Sequence, residues 1–479
     1  MKILNTTTPT NLDGIPWGIR SFMEAHVLLL MLMGLALMGC SDFVSVDPPR
    51  NTLVSETVFE DPATVESTLA HLYHAMRSQQ GMVSGTFGLT TAMGIYSDEL
   101  DYYGFDSGYA QLYNHNVLPG NDLLRAWWNQ AYQLIYGAND IIRGVDASKG
   151  LTDDEKKGYK GQALFVRAYV HSLLVSVYGD VPYITTTDYG RNNKVSRDPE
   201  IEVYTAIIAD LEEAVQLLEG REPISQERIY PDVHTAKALL ARMFLYGGHW
   251  EQAAFWATEL ITVFSLEPDL GQVFLKGSSE TIWQLKSDGD NIRNTREAIQ
   301  LIIQSVPGQT FALTDTFLDS FEDGDLRYHA WVGSRSDADN TITLYYAHKY
   351  KADINESQSL EYSIQFRLAE QYLIRAEARA QMGDLDGALE DLDVLRNRAG
   401  LPHSMATTQQ AILEAVVQER RVELFTEQGH RWFDLKRWDR ADQVLGVLKP
   451  NWRTTDVLLP LPEAELEINP NLLPQNTGY

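Results

Sequence analysis

Aromatic rings interleaved with acidic side chains give residues 96–113 their chemical character. The candidates for ligand contact in this segment are Tyr96, Asp98, Tyr102, Tyr103, Phe105, Tyr109 and Tyr113. Aromatic faces stack on the apolar C–H faces of sugar rings, and neighbouring carboxylates accept hydrogen bonds from hydroxyl groups. The pattern predicts a shallow oligosaccharide-binding surface for the cluster as a whole, although single rings of this kind also pack loops against the body of a protein.

A second group of the same residue types lies in the irregular region 286–350. Its candidate ligand contacts are Asn291, Arg293, Asn294, Trp331, Tyr345 and Tyr346. Both this region and residues 96–122 lack a sustained helical period and are rich in Gly, Asp and Asn, which is typical of long loops. The same stacking and hydrogen-bonding chemistry is therefore predicted for this second region.

A charged cluster near the C-terminus could perform acid–base chemistry. It comprises Glu419, Arg420, Arg421, Glu423, His430, Arg431 and Asp434. Arg and Glu at helical spacing more often form ion pairs that link helices, with Trp432 and Phe433 packed beneath them, and we favour that interpretation. The sequence contains no phosphate-binding loop, zinc motif or nucleophile elbow, so we predict no cofactor, no metal and no catalytic residue. An anchored glycan hydrolase with a carboxylate pair stays open as an alternative.

The single cysteine, Cys40, follows an apolar run at residues 27–38. That run suits the core of a signal peptide and is too short to span a bilayer. The sequence Leu-Met-Gly-Cys at 37–40 resembles a lipobox, in which the cysteine becomes the lipid-bearing N-terminus. We therefore predict a signal peptide at 1–39, lipidation of Cys40 and a tether at 40–60, the alternative being a buried helix whose cysteine merely packs.

The chain is strongly acidic, with 66 Asp and Glu residues against 39 Lys and Arg residues and a formal charge of -27. A surface of this charge repels phosphate backbones, so nucleic acid is not expected as a partner. The composition is 44% hydrophobic and 10% aromatic, which is enough to bury a core and argues against global disorder.

Helical periodicity dominates the body, predicted at 61–479, and one helical pattern repeats. Ala241, Gly248, Ala253 and Leu260 have the same spacing as Ala376, Gly383, Ala388 and Leu395, 135 residues later. Small residues at these positions let two helices approach, and the glycine ends the first helix, as in a tetratricopeptide unit. Weaker pairs at 130–178 and 160–218 bring the predicted number of units to about four. Two unrelated helical hairpins would be the alternative.

Several longer stretches resemble the SusD/RagB family. They include Asp-Pro-Pro at 47–49, Arg-Ala-Tyr at 167–169, Tyr-Gly-Asp-Val-Pro at 178–182, Glu-Arg-Arg-Val-Glu-Leu at 419–424, Gly-His-Arg-Trp-Phe-Asp-Leu at 429–435, Leu-Pro-Leu-Pro at 459–462 and Asn-Pro-Asn at 469–471. The stretches occur in the family's order over nearly the whole mature chain. The resemblance implies an all-α fold in which about four tetratricopeptide-like units support a loop-rich face.

The resemblance also implies a function. Members of the family are outer-membrane lipoproteins, facing the cell exterior, that capture oligosaccharides, or in some cases peptides, and pass them to a SusC-like TonB-dependent transporter for nutrient uptake. Their ligand site lies on the face built from the two loop-rich regions. The resemblance therefore predicts a non-enzymatic binding protein with three partners: the transporter, the ligand and the membrane through Cys40. A peptide ligand, or a tetratricopeptide adaptor for other proteins, remains an alternative.

Overall fold

Helices are the main secondary structure of the computed structural model, which describes residues 58–78, 81–287 and 292–479. The predicted signal peptide, Cys40 and most of the predicted tether lie outside the described residues. Within the compact unit Glu56–Tyr479, the helices are α1 (Pro62–Ala75), α2 (Leu89–Tyr96), α3 (Ser107–Tyr113), α4 (Asp122–Ala147), α5 (Asp153–Tyr178), α6 (Tyr189–Asn192), α7 (Glu200–Leu218), α8 (Val233–Tyr246), α9 (Trp250–Ile261), α10 (Arg296–Leu301), α11 (Asp315–Leu318), α12 (Leu326–Trp331), α13 (Leu368–Met382), α14 (Leu385–Arg398), α15 (Gln409–Glu423), α16 (His430–Arg437), α17 (Ala441–Leu448) and α18 (Glu463–Ile468). In the part of the chain that is described, no helix has both the length and the apolar character needed to cross a membrane.

The described residues also form three short antiparallel sheets, each of two strands. The strands are β1 (Leu100–Tyr102), β2 (Thr281–Leu285), β3 (Phe311–Leu313), β4 (Val332–Ser336), β5 (Thr343–Ala347) and β6 (Ser363–Arg367), paired as β1–β3, β2–β6 and β4–β5. In the first sheet Leu100 lies opposite Leu313 and Tyr102 lies opposite Phe311. The regions predicted as irregular loops therefore contain short strands and helices. In the β1–β3 sheet, the paired strands come from the two different loop regions, 96–122 and 286–350.

Capping residues fix where the long scaffold helices begin. The Asn121 side chain accepts hydrogen bonds from the N–H groups of Leu123 and Leu124 at the start of α4. Thr152 and Glu155 form a reciprocal capping box at the start of α5. Both arrangements satisfy N–H groups that the first turn of a helix leaves without partners.

The predicted repeat is present as two helical hairpins, α8–α9 and α13–α14. Gly248 and Gly383 lie in the turns with φ angles of +72° and +84°. This left-handed conformation commonly ends a helix, and glycine adopts it without steric strain because it has no Cβ atom. The small and apolar positions of the repeat are fully buried: Ala241, Ala253, Leu260, Ala376, Ala388 and Leu395. Helix α9 packs along α13, so the two hairpins are neighbours in the scaffold.

The weaker predicted pairs belong to the same scaffold. Helix α5 packs against both α4 and α7, and α7 packs against α8, which begins the first clear hairpin. The helices thus form one series from α4 to α15, with a separate apolar core around α13, α14 and α15. The predicted fold class, all-α with tetratricopeptide-like repeats, is confirmed.

Candidate functional site

The charged cluster near the C-terminus forms buried ion pairs. Glu423, at the end of α15, accepts hydrogen bonds from Nη1 of Arg327 at 3.0 Å and from Nη1 of Arg367 at 2.7 Å. Asp434 on α16 accepts hydrogen bonds from Nε of Arg420 at 2.7 Å and from Nε of Arg437 at 2.8 Å. These carboxylates are therefore occupied in linking helices, which confirms the ion-pair interpretation.

Two of the predicted ligand contacts in 96–113 belong to this buried interior. Asp98 accepts hydrogen bonds from Nε of Arg431 at 2.7 Å and from Nη2 of Arg421 at 2.8 Å. Burial by itself would raise the pKa of Asp98, but the two guanidinium groups outweigh burial and hold that pKa below its usual range. Tyr96 is fully buried, and its hydroxyl donates to the carbonyl of Asp456 at 2.7 Å. The prediction of ligand contact is therefore wrong for Tyr96, whereas Asp98 also lines the cleft beside Tyr113, so its ligand contact stays a prediction.

Trp331 and Asn294, predicted from the second region, are also structural. Trp331 is fully buried at the end of α12, and its Nε1 donates to the carbonyl of Leu270 at 2.9 Å. The Oδ1 atom of Asn294 accepts hydrogen bonds from the N–H groups of Leu360 and Glu361 at 2.8 and 3.1 Å. Neither side chain has a surface free for a ligand, so the prediction is wrong here too.

Tyr109 and Tyr346 likewise pack loops onto the body. The Tyr109 hydroxyl lies 2.6 Å from that of Thr91 and donates to the carbonyl of Thr86 at 3.1 Å. Tyr346 is buried over Gly333 on the paired strand, where a Cβ atom would lie only 2.4 Å from its ring. Both rings lack an accessible face, which corrects their prediction as stacking residues.

Four predicted rings in 96–113 remain accessible, and we name Tyr102, Tyr103, Phe105 and Tyr113 the loop platform. Phe105 is fully exposed and Tyr103 is 42% exposed, whereas Tyr102 and Tyr113 are half-buried. The centroid of the Tyr102 ring lies 6.4 Å from that of Tyr113 and 5.7 Å from that of Phe311 on β3. The pairing of β1 with β3 holds the platform, and its role in binding stays a prediction.

A cleft of about 340 Å³ adjoins the platform at Tyr113. Its lining includes Asp101, Asn114 and Asn451, and the Tyr113 hydroxyl donates to Oδ1 of Asp101 at 2.8 Å. Nζ of Lys449 lies 4.3 Å from the centroid of the Tyr113 ring, and burial lowers the pKa of Lys449 to about 8. The cleft thus places polar groups beside the rings.

Over the described residues, no group of three or more His, Cys, Asp or Glu could hold a metal ion.

The remaining predicted contacts lie outside the platform. Arg293 is exposed, and Tyr345 is half-buried on β5. β5 packs against β3, the strand that supports the platform. Asn291 lies outside the described residues. For Arg293 and Tyr345, ligand contact therefore stays a prediction.

A larger groove, with a volume of about 560 Å³, lies along α4. Trp128, Tyr132 and Tyr136 line it from positions i, i+4 and i+8 of the helix, which share one face. Tyr189 on α6 and the segment 465–472 supply much of the remaining lining. The groove and the loop platform are therefore two distinct accessible sites with aromatic rings.

Two family models match the chain. One, described as the SusD family, matches residues 283–457, and the other, described as "Starch-binding associating with outer membrane", matches residues 42–245. The chain belongs to the SusD/RagB family. The resemblance predicted from the sequence motifs is thereby confirmed, and the two matches together span most of the chain.

Other SusD-like proteins are similar over almost the full length. SusD-like protein P2 of Formosa agariphila is 28% identical over 95% of this chain and 100% of its own length, and SusD-like protein P25 of the same organism is 23% identical over 95% and 99%. A SusD superfamily protein from Bacteroides vulgatus has a TM-score of 0.77 at 21% identity, covering 88% of this chain and all of that one. Surface glycan-binding protein A from Bacteroides thetaiotaomicron, in complex with laminarihexaose, has a TM-score of 0.72 at 20% identity, covering 86% and 99%. These structures share the fold.

The SusD-like fold brings the two predicted loop regions together, since β1 of 96–122 pairs with β3 of 286–350. The sequence interpretation missed the groove along α4. Its signal was an aromatic residue at every fourth position, Trp128, Tyr132 and Tyr136, within a helix that periodicity had assigned to the scaffold. A ring on a long helix is usually core, so only the structure could separate the lining of a groove from the packing of an interior.

Proposed function

We propose that this SusD-like protein is a non-catalytic lipoprotein of the outer membrane that binds oligosaccharides at its exterior face and passes them to a SusC-like TonB-dependent transporter. The observation that carries the proposal is the loop platform, in which Tyr103 and Phe105 are exposed and Tyr113 lines a polar cleft. Exposed rings next to hydroxyl-binding groups are how a shallow site holds sugar rings. The exposed ring faces fit the apolar C–H faces of sugar rings.

The family supports the same proposal. One matching family model is described as starch-binding and associated with the outer membrane. One structure with the shared fold was solved with laminarihexaose bound. A role in glycan binding at the outer membrane is therefore consistent with both family and geometry.

The loop platform is expected to contribute most of the affinity at its site. Replacing Tyr103 and Phe105 together with Ala should weaken oligosaccharide binding there by about 1–3 kcal/mol for each stacked ring. Both side chains are exposed, so the melting temperature should change little. Calorimetric titration with maltohexaose and laminarihexaose, combined with thermal unfolding of the same samples, measures both quantities.

Phe255→Ala is the matched control, because this ring is 56% exposed on α9 and lies in neither site. Its affinity for both sugars should equal that of the wild type. Wild-type affinity and stoichiometry in the Tyr103→Ala/Phe105→Ala variant would remove the platform from the proposal. Hydrolysis of either sugar by the purified protein would favour the anchored hydrolase instead.

Delivery to a transporter requires a persistent complex at the membrane. We expect the native protein, extracted from outer membranes in mild detergent, to co-purify with a TonB-dependent transporter and to carry an acylated Cys40 at its N-terminus. Affinity purification followed by mass spectrometry of both components provides the test. A Cys40→Ala protein should lose its membrane attachment, because that thiol carries the predicted anchor. Unchanged localisation of this variant, or recovery of the wild type only as a free monomer, would contradict this part of the proposal.

A further inference from the structure

The groove along α4 has a rigid base. The Trp128 ring packs edge-on against that of Tyr178, with 5.4 Å between centroids, and the Tyr132 hydroxyl donates to the carbonyl of Pro182 at 3.0 Å. The ring centroids of Trp128 and Tyr132 lie 4.8 Å apart. These contacts fix both rings before any ligand arrives, which lowers the entropy lost on binding.

The rims of the groove carry the accessible rings. Tyr136 is 51% exposed and Tyr189 is 77% exposed. Within the described chain neither ring pairs with another aromatic ring, and both line the groove.

Uncommitted carboxamide groups lie beside these rings. The side chains of Asn129, Gln133 and Asn193 line the groove, and they make no side-chain hydrogen bond to any part of the chain that is described. Nδ2 of Asn192 donates to the carbonyl of Thr186 at 2.7 Å, while its Oδ1 is buried without a partner among the described residues. Carboxamides both donate and accept hydrogen bonds, as sugar hydroxyls do.

The charge of the lining selects among glycans. Glu465 is its one ionisable acid, and no Lys, Arg or His is found among the described lining residues. Burial raises the pKa of Glu465. The formal charge of the chain is -27, so an anionic sugar would enter without a counter-charge and against a repulsive field.

We propose that the groove along α4 is a second binding site, which takes a neutral oligosaccharide by stacking its sugar rings on Tyr136 and Tyr189 and bonding its hydroxyls to the neighbouring carboxamides. The volume of about 560 Å³ lies within the range of about 300–1,000 Å³ that is usual for ligand sites. The inference rests on the proposed glycan-binding function but not on the loop platform. A second site would raise the local concentration of one glycan chain for the other site.

The experiment combines changes at the two sites. Full mature protein is titrated calorimetrically with maltohexaose, laminarihexaose and hexagalacturonate in four forms: wild type, Tyr103→Ala/Phe105→Ala, Tyr136→Ala/Tyr189→Ala, and the combination of all four changes. Phe255→Ala is the control for loss of an exposed ring, and Tyr136→Phe keeps the stacking face without the hydroxyl. Melting temperatures confirm that every form is folded.

With the platform removed, we expect binding of a neutral sugar to persist and to weaken at least about ten-fold when Tyr136 and Tyr189 are also replaced. Tyr136→Phe should retain the affinity. If replacing Tyr136 and Tyr189 changes the affinity no more than Phe255→Ala does, both in the wild type and in the Tyr103→Ala/Phe105→Ala variant, the groove inference is overturned. The proposed function is then still decided by the effect of the Tyr103→Ala/Phe105→Ala variant. Equal binding of hexagalacturonate by the groove overturns its assignment to neutral sugars. No binding of any probe by the wild type contradicts both proposals.

Discussion

Replacing Glu423 with Gln is expected to lower the free energy of unfolding by about 3–5 kcal/mol. The Glu423 carboxylate is fully buried and accepts hydrogen bonds from Arg327, Arg367 and Arg398. Gln keeps the shape of the side chain but not its charge, so three guanidinium groups would stay buried with one counter-charge fewer. Urea denaturation of the mature chain, followed by far-UV circular dichroism, measures the loss.

Glu414→Gln is the matched control, because Glu414 lies on the same helix, α15. It pairs with Arg440 at 2.6 Å, but both side chains are partly exposed, at 48% and 26%. Exposed ion pairs contribute only about 0–1 kcal/mol, since water and salt screen them. If both variants lost a similar amount of unfolding free energy, burial would not explain the contribution of the Glu423 cluster.

The Glu423 prediction carries a pH dependence. Burial alone would raise the pKa of Glu423, but the guanidinium groups of Arg398, Arg367 and Arg327 outweigh burial and hold it well below its usual range. A carboxyl whose pKa is lower in the folded state stabilises the protein above its unfolded-state pKa of about 4.3, and that contribution is lost as pH falls further. The stability difference between wild type and Glu423→Gln should therefore be full near neutral pH and shrink below about pH 4. A difference that is independent of pH would point to lost packing instead of lost charge.

The helical scaffold could be predicted because its requirements are local. The spacing of Ala241 and Gly248, repeated at Ala376 and Gly383, records where two helices approach and where the first one ends. Strand pairing is different, because the contact between β1 and β3 joins residues about two hundred positions apart along the chain. No local pattern encodes that register, so the β1–β3 sheet within the predicted loops could be found only from the structure.

The candidate site was predicted only in part, because residue type does not reveal which way a ring faces. Tyr103 and Phe105 are exposed, whereas Tyr109, four residues further on, is buried in α3 with its hydroxyl beside that of Thr91. Alternate residues share a face of a strand, whereas residues three or four positions apart share a face of a helix, so the change from β1 to α3 changes which rings point the same way. Composition therefore located the aromatic segment, and tertiary packing decided which of its rings could meet a ligand.

Trp331→Ala is expected to lower the free energy of unfolding by about 3–5 kcal/mol while leaving the oligosaccharide affinity of the folded protein unchanged. The ring is fully buried, and it meets Phe274 edge-on at 5.6 Å between centroids. Its Nε1 donates to the carbonyl of Leu270 at 2.9 Å. Alanine would leave a cavity and a buried carbonyl without its donor, and both cost free energy.

Chemical denaturation and calorimetric titration of the same Trp331→Ala preparation separate the two effects. Tyr103→Ala is the opposite case, because its exposed ring should cost affinity and little stability. The pair therefore distinguishes a packing residue from a binding residue within the same set of predicted aromatics. If Trp331→Ala instead lost affinity and kept its stability, the ring would have to face the ligand in solution, and the loop platform would extend into the second region.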